Sequence, residues 1–355
     1  MPKGYTIPED LRGKLLGNLY LDKVISTGGA LSVVMLGLDI LDNGKKYAVK
    51  ILIPEDTSTS EFKSEKAAYE LLSKHPSCDP YIVCVFEAST YPGLPRSKTP
   101  GTEFIKAFRT NSETIGKRMI PVENKYHYFQ MELMDMDLHT FLKTMRKTHG
   151  EEWHSQYPSL IEKVIRDIFL GIQVVHDHLV AHLDLKPGNI LLQVKDKDTF
   201  FGKPQAKDVL AKVGDLGFVC SGRIKVKRHI RRCTPWMTVR FAPPEVIRMW
   251  HSTKKFSLEI AKKADMWSAG VILGLLLFRK DELEILDAIE TFFEDRDEDA
   301  YIDAFNKLID GSVEYDSGHP SFDTAITDLF YKLIRYHPEE RPSIAEALTK
   351  LPCLK

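Results

Sequence analysis

The segment from His182 to Leu192 reads HLDLKPGNILL and decides how the rest of the chain is interpreted. Three of its side chains suit one chemistry: the Asp184 carboxylate can accept a proton, the Lys186 ammonium can neutralise a phosphate, and the Asn189 amide oxygen can bind a hard cation. The Pro-Gly pair between them favours a turn, and the three apolar residues that follow predict a short buried strand. The segment therefore predicts a polar loop that acts on a phosphate and is anchored by a strand.

The composition is that of a globular protein with no strong charge bias. The chain has 355 residues, of which 43% are hydrophobic and 28% charged, and its formal net charge is −1. This length allows one large domain or two lobes, and the near-neutral charge predicts neither a nucleic-acid partner nor a membrane surface. The longest uncharged apolar run, residues 266–278, is shorter than the roughly 20 residues of a membrane span.

The five cysteines are scattered along the chain without metal-ligand spacing. This pattern favours reduced thiols rather than a disulfide framework or a zinc site. The first residues, MPKGYTIPEDLRGK, lack an apolar signal core. We therefore expect an intracellular protein, located in the cytoplasm or the nucleus.

Strand-like patterns dominate the first third of the chain. A helix is expected over 61–72, where apolar residues form one stripe, and a surface insertion is expected over 89–122, which is rich in Gly, Pro, Ser and Thr. Four segments are rich in β-branched and aromatic residues and predict strands: 20–36, 46–53, 81–86 and 126–133.

Beyond Met134 the pattern changes to helix. Apolar residues recur at helical spacing from Ile161 to Leu179, directly before the polar loop. A buried helix is expected over 266–278 and an amphipathic one over 322–336, with a second polar insertion over 195–208. We predict an α+β fold, with an extension over residues 1–19, a small β-rich lobe over 20–131 and a larger, mainly helical lobe over 132–355.

The loop at 182–192 resembles the catalytic loop of eukaryotic protein kinases, His-Arg-Asp-Leu-x-x-x-x-Asn, with Leu183 at the usual arginine position. Further family motifs follow one another in order from about Tyr20 to Leu351. The resemblance implies a bilobal protein-kinase-like fold and a serine/threonine kinase whose hinge is similar to those of mitogen-activated and cyclin-dependent kinases. ATP and Mg²⁺, or Mn²⁺ in its place, are the implied cofactors.

The resemblance implies that the first lobe contacts the nucleotide. Residues 25–33, ISTGGALSV, occupy the place of the glycine-rich loop, where Gly28 alone matches a family glycine; a plain β-turn is the alternative. The motif Tyr47-Ala48-Val49-Lys50 resembles the third strand, and Lys50 is expected to pair with Glu65 and to hold the α- and β-phosphates. Glu61 and Glu70 are the alternative partners.

Residues 130–142, QMELMDMDLHTFL, resemble the hinge. This implies that Met131 is the gatekeeper, that the Glu132 and Met134 backbones contact adenine, and that Asp137 lies near the ribose; both methionines can instead fill the core. The full set of implied nucleotide contacts is Ile25, Gly28, Val33, Ala48, Lys50, Glu65, Met131, Glu132, Met134, Asp137 and Leu191.

The motif VGDLG at 213–217 implies that Asp215 holds Mg²⁺ together with Asn189, with Leu216 in place of the family phenylalanine. Asp184 would orient the substrate hydroxyl and accept its proton, while Lys186 offsets charge on the moving phosphoryl group. The nearby histidines, His176, His178 and His182, could be read with Asp184 as metal ligands, but we favour a structural role for them.

The activation segment is placed over 215–245, and its last residues, TVRFAPPE, resemble the family ending. The resemblance implies a pair between Glu245 and Arg341, a bracing role for Asp265 beneath the catalytic loop, and serine/threonine specificity from Lys186 together with Thr238.

The implied function is phosphorylation of serine or threonine in protein substrates. In the family, the arginine that Leu183 replaces usually binds the phosphate of a phosphorylated activation segment. We therefore expect activity without phosphorylation of this segment. A pseudokinase scaffold that binds nucleotide and a small-molecule phosphotransferase are the alternatives. The basic run Arg223–Arg232 is either a solvated loop, a site for an acidic partner or phosphate, or an address for nuclear import.

Overall fold

The computed structural model describes residues 11–26, 32–52, 58–73, 75–91, 120–121, 126–221, 225–226, 229–230, 237–249, 257–278 and 325–351, and the single positions 294, 303 and 306. The chain divides into two units. The first comprises residues 1–78 and 83–133, and the second comprises residues 79–82 and 134–355.

In its described residues, the first unit has a seven-stranded sheet and one helix, the strands being ordered β5-β7-β4-β3-β2-β1-β6. Neighbouring strands are antiparallel except for β1 and β6, which are parallel. The elements are β1 (Lys14–Leu16), β2 (Leu19–Ser26), β3 (Ser32–Asp39), β4 (Lys45–Leu52), α1 (Ser58–Leu72), β5 (Val85–Tyr91), β6 (Ile120–Pro121) and β7 (Tyr126–Met131).

Strand β4 is buried on both of its faces from Tyr47 to Leu52, and all of these residues except Lys50 are apolar. On one face Val49 and Ile51 pack into a core with Leu19, Leu21 and Met35. On the other face lies helix α1. Its rings Phe62 and Tyr69 contact Phe129 of β7, with centroids 5.1 and 5.7 Å apart. The alternation of side chains along β4 therefore separates an apolar core from the face that α1 covers.

The second unit is mainly helical. Its helices are α2 (Leu138–His149), α3 (Trp153–Gln156), α4 (Pro158–Asp177), α5 (Lys197–Phe200), α6 (Pro244–Met249), α7 (Leu258–Leu277), α8 (Ala325–Leu333) and α9 (Ile344–Leu348). Its short strands are β8 (Met136–Asp137), β9 (Val180–Ala181), β10 (Ile190–Val194), β11 (Val209–Val213), β12 (Cys220–Ser221), β13 (Lys225–Val226) and β14 (His229–Ile230). In the part of the unit that the structure describes, they form three small sheets, β11-β10-β8, β12-β9 and β13-β14.

Helices α4 and α7 form the core of the second unit. Every residue of α7 from Ala264 to Leu277 is buried, and the apolar stripe of α4 is buried from Leu160 to Val175. These two helices fix the polar loop at 182–189, because α4 leads into it through β9 and α7 lies beneath it. The predicted α+β class, with a β-rich first part and a helical second part, is confirmed. Within the described part of the chain, no helix is both long and apolar enough to cross a membrane.

The predicted helices are present with shifted bounds. Helix α7 begins at Leu258, eight residues before the expected start, because Ser257 caps it by accepting a hydrogen bond from Ile260 N at 3.2 Å. The insertion at 195–208 lies between β10 and β11 as expected. It is packed rather than loose, since Lys197 Nζ donates to Asp135 O and a His149 ring nitrogen contacts Phe201 O.

The strand predicted over 81–86 is wrong for its first four residues, because β5 begins only at Val85. The backbone of Tyr81 and Ile82 is used elsewhere: Val213 N donates to Tyr81 O at 2.8 Å, and Ile82 forms an isolated parallel bridge with Val213. Tertiary contacts in the second unit therefore override the local strand propensity. In addition, β1 lies inside the segment that was assigned to an extension.

The expectation of reduced thiols does not hold for Cys78 and Cys84, which form a disulfide with a Cα–Cα distance of 5.4 Å. Their spacing along the chain gave no sign of this, because the fold of the intervening loop brings them together. Most of the insertion predicted over 89–122 and the side chains of Arg223–Arg232 lie outside the described residues.

Candidate active site

Lys50 of β4 and Glu65 of α1 form the predicted ion pair, with Lys50 Nζ 2.7 Å from Glu65 Oε1. Both side chains are buried, at 9% and 2% exposure. Of the alternative partners, Glu61 is half-buried and Glu70 is exposed. A buried lysine with a fixed counter-charge is held in one position, as a group that contacts phosphates must be.

The sheet register corrects one predicted nucleotide contact. In β4, Ala48 and Lys50 point to the same face, where Ala48 is paired with Met131 and Lys50 with Val34. Val33 is instead paired with Ile51 and packs in the apolar core on the opposite face. The predicted contact of Val33 with the nucleotide is therefore not supported, and Val34 is the residue of β3 on the face of Lys50.

Three further predicted nucleotide contacts belong to the first unit: Ile25, Gly28 and the hinge residue Glu132. Ile25 lies near the end of β2 with 45% of its side chain exposed. Gly28 falls outside the described residues. The hinge residue Glu132 is fixed by two hydrogen bonds: its amide donates to Cys84 O at 3.0 Å, and its Oε1 accepts from Cys84 N at 2.7 Å. Sequence patterns do not predict this contact, because it joins two segments far apart in the chain.

The longer segment of the second unit begins with Met134, which is buried and precedes a tightly bonded segment. Asp135 N donates to Leu192 O and Asp135 Oδ2 accepts from Val194 N, both at 2.9 Å. Asp137, expected near the ribose, also caps α2 by accepting from Thr140 N at 2.7 Å. Leu191 is paired with Asp137 in the β8–β10 ladder, so these two predicted contacts are neighbours.

The Asp184 carboxylate, in a residue only 3% exposed, accepts four hydrogen bonds from three residues. Oδ1 accepts from Thr238 Oγ1 at 2.7 Å and from Thr238 N at 3.2 Å. Oδ2 accepts from Lys186 Nζ at 2.8 Å and from Asn189 Nδ2 at 2.9 Å. The structure thus brings the predicted catalytic residues together and places a hydroxyl donor directly on the carboxylate.

Asn189 and Asp215 meet the chemical requirements for a magnesium site. Asn189 Nδ2 donates to both the backbone and the side chain of Asp184, and Asn189 Oδ1 receives no hydrogen bond from the described residues. Gly214 N donates to Asn189 O at 2.9 Å, which joins the loop to the segment carrying Asp215. Mg²⁺ takes oxygen ligands, commonly one or two carboxylates with phosphate oxygens and water, so this donor set fits it.

Each of the three neighbouring histidines has a structural partner. His176 Nε2 lies 2.9 Å from Asp265 Oδ2, and His178 Nδ1 lies 2.8 Å from Val174 O. His182 accepts from Asp184 N at Nδ1, so its Nε2 carries the proton and donates to Gly214 O at 2.9 Å. Among the described residues, no group of three or more His, Cys, Asp or Glu side chains has metal-binding geometry.

Asp265 of α7 braces the loop from below, as the resemblance implied. Its Oδ2 accepts from His182 N at 2.7 Å and its Oδ1 from Leu183 N at 2.8 Å. Leu183 is buried and has a φ of 61°, a left-handed conformation that a leucine rarely adopts. The two hydrogen bonds to a fully buried carboxylate stabilise this unfavourable backbone.

The predicted pair of Glu245 and Arg341 is also present. Arg341 is 1% exposed and its guanidinium uses all five N–H groups. Two go to the Glu245 carboxylate at 2.6 and 2.8 Å, and three go to the carbonyl oxygens of Lys263, Arg335 and Tyr336. The end of the activation segment is thereby joined to α7 and to the segment after α8.

Comparison with known proteins agrees with this geometry. The sequence profile of the protein kinase domain family matches residues 27–351. Extracellular signal-regulated kinase 1 of Dictyostelium discoideum is 27% identical over 237 residues, which cover 62% of this chain and 39% of that protein. Cyclin-dependent kinase B1-1 of Arabidopsis thaliana is 28% identical over 234 residues, covering 62% of this chain and 68% of that protein.

Serine/threonine-protein kinase PLK4 of Drosophila virilis is 26% identical over 224 residues, covering 63% of this chain and 23% of that protein. The chain thus spans less than two thirds of two of these three relatives. The profile match extends over most of the sequence and confirms the predicted bilobal fold class. The chain belongs to the eukaryotic-type serine/threonine protein kinase family.

Proposed function

We propose that this protein is an active kinase that transfers the γ-phosphoryl group of ATP to serine or threonine hydroxyls of protein substrates. The observation that carries the proposal is the Asp184 carboxylate, which already binds the hydroxyl of Thr238 at 2.7 Å while Lys186 and Asn189 hold its other oxygen. A carboxylate in this arrangement can orient an incoming hydroxyl group and accept its proton.

The proposed reaction follows from these groups. The substrate hydroxyl oxygen forms a bond to the γ-phosphorus, the bond from that phosphorus to the β-phosphate oxygen breaks, and ADP leaves. Asp184 takes the hydroxyl proton, and Lys186, 2.8 Å from Asp184, offsets negative charge on the moving phosphoryl group. Mg²⁺, or Mn²⁺ in its place, would be held by Asn189 and Asp215 and would supply neutralisation of phosphate charge.

We further propose that activity does not require a phosphorylated activation segment. Leu183 is 1% exposed and its side chain is apolar, so it cannot pair with a phosphate. Arg341 is already fully bonded to other groups. Since the reaction uses ATP, we also propose that the protein acts inside the cell, in the cytoplasm or the nucleus.

The basic run Arg223–Arg232 is proposed as a contact for acidic substrates or for phosphate, on the strength of its charge alone. Replacing its basic residues with glutamine is expected to raise the KM of an acidic peptide substrate and to leave that of ATP unchanged. An unchanged peptide KM would remove this part of the proposal.

The test of catalysis is phosphate transfer from labelled ATP with Mg²⁺ to a generic basic protein, comparing wild type with Asp184→Asn. The matched control is Asp177→Asn, at an exposed aspartate of α4. We expect Asp184→Asn to lower kcat by about 100-fold or more and Asp177→Asn to leave it unchanged. Nucleotide binding without any transfer by the wild type would overturn the proposal and favour a nucleotide-binding scaffold.

A further inference from the structure

Two cysteines flank the connection between α1 and β5, next to the hinge. Cys84 is 4% exposed and Cys78 is half-buried, so Cys78 is the more exposed residue of the two. We propose that Cys78 and Cys84 form a reversible, redox-sensing disulfide whose closure tightens nucleotide binding at the hinge residue Glu132. The effect on nucleotide rests on the proposed function, whereas the formation of the disulfide does not.

The two cysteines are held close together by contacts other than the disulfide. On the Cys78 side, His75 N donates to Val85 O at 3.0 Å, and Val85 N donates to Ser73 O at 3.2 Å. Inside the loop, Tyr81 N donates to Asp79 Oδ1 at 2.7 Å. The Cα–Cα distance of 5.4 Å lies within the usual disulfide range. Reduction would therefore leave the two thiols near each other and able to pair again.

The Cys84 backbone is bonded directly to the hinge. Both of its polar groups bind Glu132, its amide to Glu132 Oε1 at 2.7 Å and its carbonyl to Glu132 N at 3.0 Å. The next residue, Val85, is paired with Met131 in the β5–β7 ladder. A change in the conformational freedom of Cys84 therefore affects Met131 and Glu132 directly, through backbone contacts that involve no side chain of the catalytic loop.

The loop that the disulfide closes also touches the segment of the predicted metal ligand. Residues 79–82 belong to the second unit, where Val213 N donates to Tyr81 O at 2.8 Å. Val213 ends β11 and lies two residues before Asp215. One small ring thus includes backbone partners of a hinge residue and of the strand that leads to Asp215.

Glutathione disulfide is the class of oxidant that would close the ring. The Cys78 thiolate attacks one glutathione sulfur, which forms a mixed disulfide and releases one glutathione thiolate. The Cys84 thiolate then attacks the Cys78 sulfur, closing the protein disulfide and releasing the second glutathione. Two protein thiols are oxidised and one glutathione disulfide is reduced, and reduced glutathione reverses the sequence. Cys78 is the more exposed of the two residues, which suits it to the first attack, and the buried Cys84 suits the second.

Closure is expected to strengthen nucleotide binding because it pre-organises the hinge. With the ring closed, Cys84 has less conformational freedom. Glu132, which is bonded to it, therefore loses less conformational entropy when a ligand binds. Opening the ring leaves the hydrogen bonds to Glu132 possible but no longer constrained. The expected change is modest, about threefold to tenfold in the dissociation constant, as for the ordering of a few residues.

The experiment uses the full chain equilibrated with glutathione buffers of rising disulfide fraction. Thiols are trapped by alkylation, and the Cys78–Cys84 cross-link is quantified by peptide mass spectrometry. Binding of a non-hydrolysable ATP analogue with Mg²⁺ is measured by calorimetry in the same buffers. The variants are Cys78→Ser and Cys84→Ser, which keep the backbone contacts to Glu132, and the control variant is Cys353→Ser.

We expect the wild type and Cys353→Ser to form the cross-link and to bind the analogue about threefold to tenfold more tightly when oxidised. Cys78→Ser and Cys84→Ser should bind it equally in all buffers, with the affinity of the reduced wild type. A missing cross-link in oxidising buffer, or equal affinities in the two wild-type states, overturns the proposal. Failure of the proposed kinase activity would look different, as redox-dependent binding of the analogue with no phosphate transfer.

Discussion

The hydroxyl of Thr238 donates a hydrogen bond of 2.7 Å to Oδ1 of Asp184 and accepts one of 2.9 Å from Lys186. The end of the activation segment is thereby bonded to both predicted catalytic residues. Because a substrate hydroxyl must approach the same carboxylate, Thr238 also limits where that group can bind.

Thr238→Ala is expected to lower kcat by about tenfold, because Asp184 loses one charge-assisted hydrogen bond and gains freedom. The ATP KM should change little, since the hydrogen bonds of the Thr238 side chain go to Asp184 and Lys186, which are not among the predicted nucleotide contacts. Thr238→Ser, which keeps the hydroxyl, should restore most of the activity. Steady-state kinetics of the three proteins provide the measurement, and equal kcat values for Thr238→Ala and wild type would contradict the expectation.

Lys50→Met should abolish transfer and also reduce stability. Removal of the lysine leaves Glu65, 2% exposed, as a buried charge without its counter-ion, a loss of about 3–5 kcal/mol in the free energy of unfolding. The double variant with Glu65→Gln should recover much of the stability and none of the activity. Urea denaturation and the transfer assay are the measurements, with Lys46→Met on the exposed part of β4 as the control. Equal instability of the single and double variants would argue against a buried ion pair.

Two substitutions test which face of β3 contacts the nucleotide. Val34→Phe adds bulk on the face of Lys50 and is expected to raise the dissociation constant of an ATP analogue by about tenfold or more, through steric exclusion. Val33→Phe overfills the core with Met35 and Val49, and is expected to lower the melting temperature instead. Calorimetry and thermal denaturation distinguish the two outcomes. The reverse pattern would restore Val33 as the nucleotide contact.

The buried residue Asp167 of α4 predicts a dependence of stability on pH. Burial raises the pKa of its carboxyl above the ordinary value, against the opposing effect of its hydrogen bond with Lys163. Since the folded chain holds this proton more tightly than the unfolded chain, Asp167 lowers the free energy of unfolding as the pH rises through and above the unfolded pKa, about 4.

Asp167→Asn does not titrate and should escape this loss. The melting temperature of the variant is therefore expected to rise relative to that of the wild type as the pH is raised from about 4. The measurement is thermal denaturation at half-unit steps of pH, with Asp177→Asn as the exposed control. Parallel curves for the wild type and Asp167→Asn would rule out the contribution of this carboxyl.

Phosphatase treatment tests the role of Leu183. The treated enzyme is expected to keep its kcat, because position 183 has a leucine and not an arginine that could bind a phosphate group. Phosphorylation of Thr238 should inhibit, since it would replace the hydroxyl bound to Asp184 with a group of negative charge. The expectation would be contradicted if treatment abolished activity and phosphorylation of Thr234 or Thr238 restored it. A residue other than Leu183 would then respond to the phosphate.

Some contacts could be predicted because each depends on a motif at a fixed place in a known order. The pairs Lys50–Glu65 and Glu245–Arg341, and the contact of Asp265 with the loop backbone, are of this kind. The two ion pairs join charged groups that could not be buried alone, and the buried Asp265 carboxylate is satisfied by backbone N–H donors.

Other features depend on geometry that a linear pattern does not contain. The register of β2 and β3 shifts twice, between Leu21 and Val24 and between Val24 and Ser26. In the β3–β4 ladder, Val33 is paired with Ile51 and Val34 with Lys50, so the residue on the face of Lys50 is found by strand pairing and not by counting from the glycine-rich segment. The pairing of Cys78 with Cys84 likewise depends on a loop whose ends are brought together by tertiary contacts.

The saturated guanidinium of Arg341 has a consequence for synthesis of the chain. Its carboxylate partner, Glu245, is made 96 residues earlier. At about 5–20 residues per second, the ribosome takes roughly 5–20 s to supply the missing arginine. Until then Glu245 remains hydrated, although the residues of α7 have already been synthesised. The nascent polypeptide therefore cannot form the ion pair of Glu245 with Arg341 during that interval. The contact that joins the end of the activation segment to the helical unit therefore forms only after most of the chain has been synthesised.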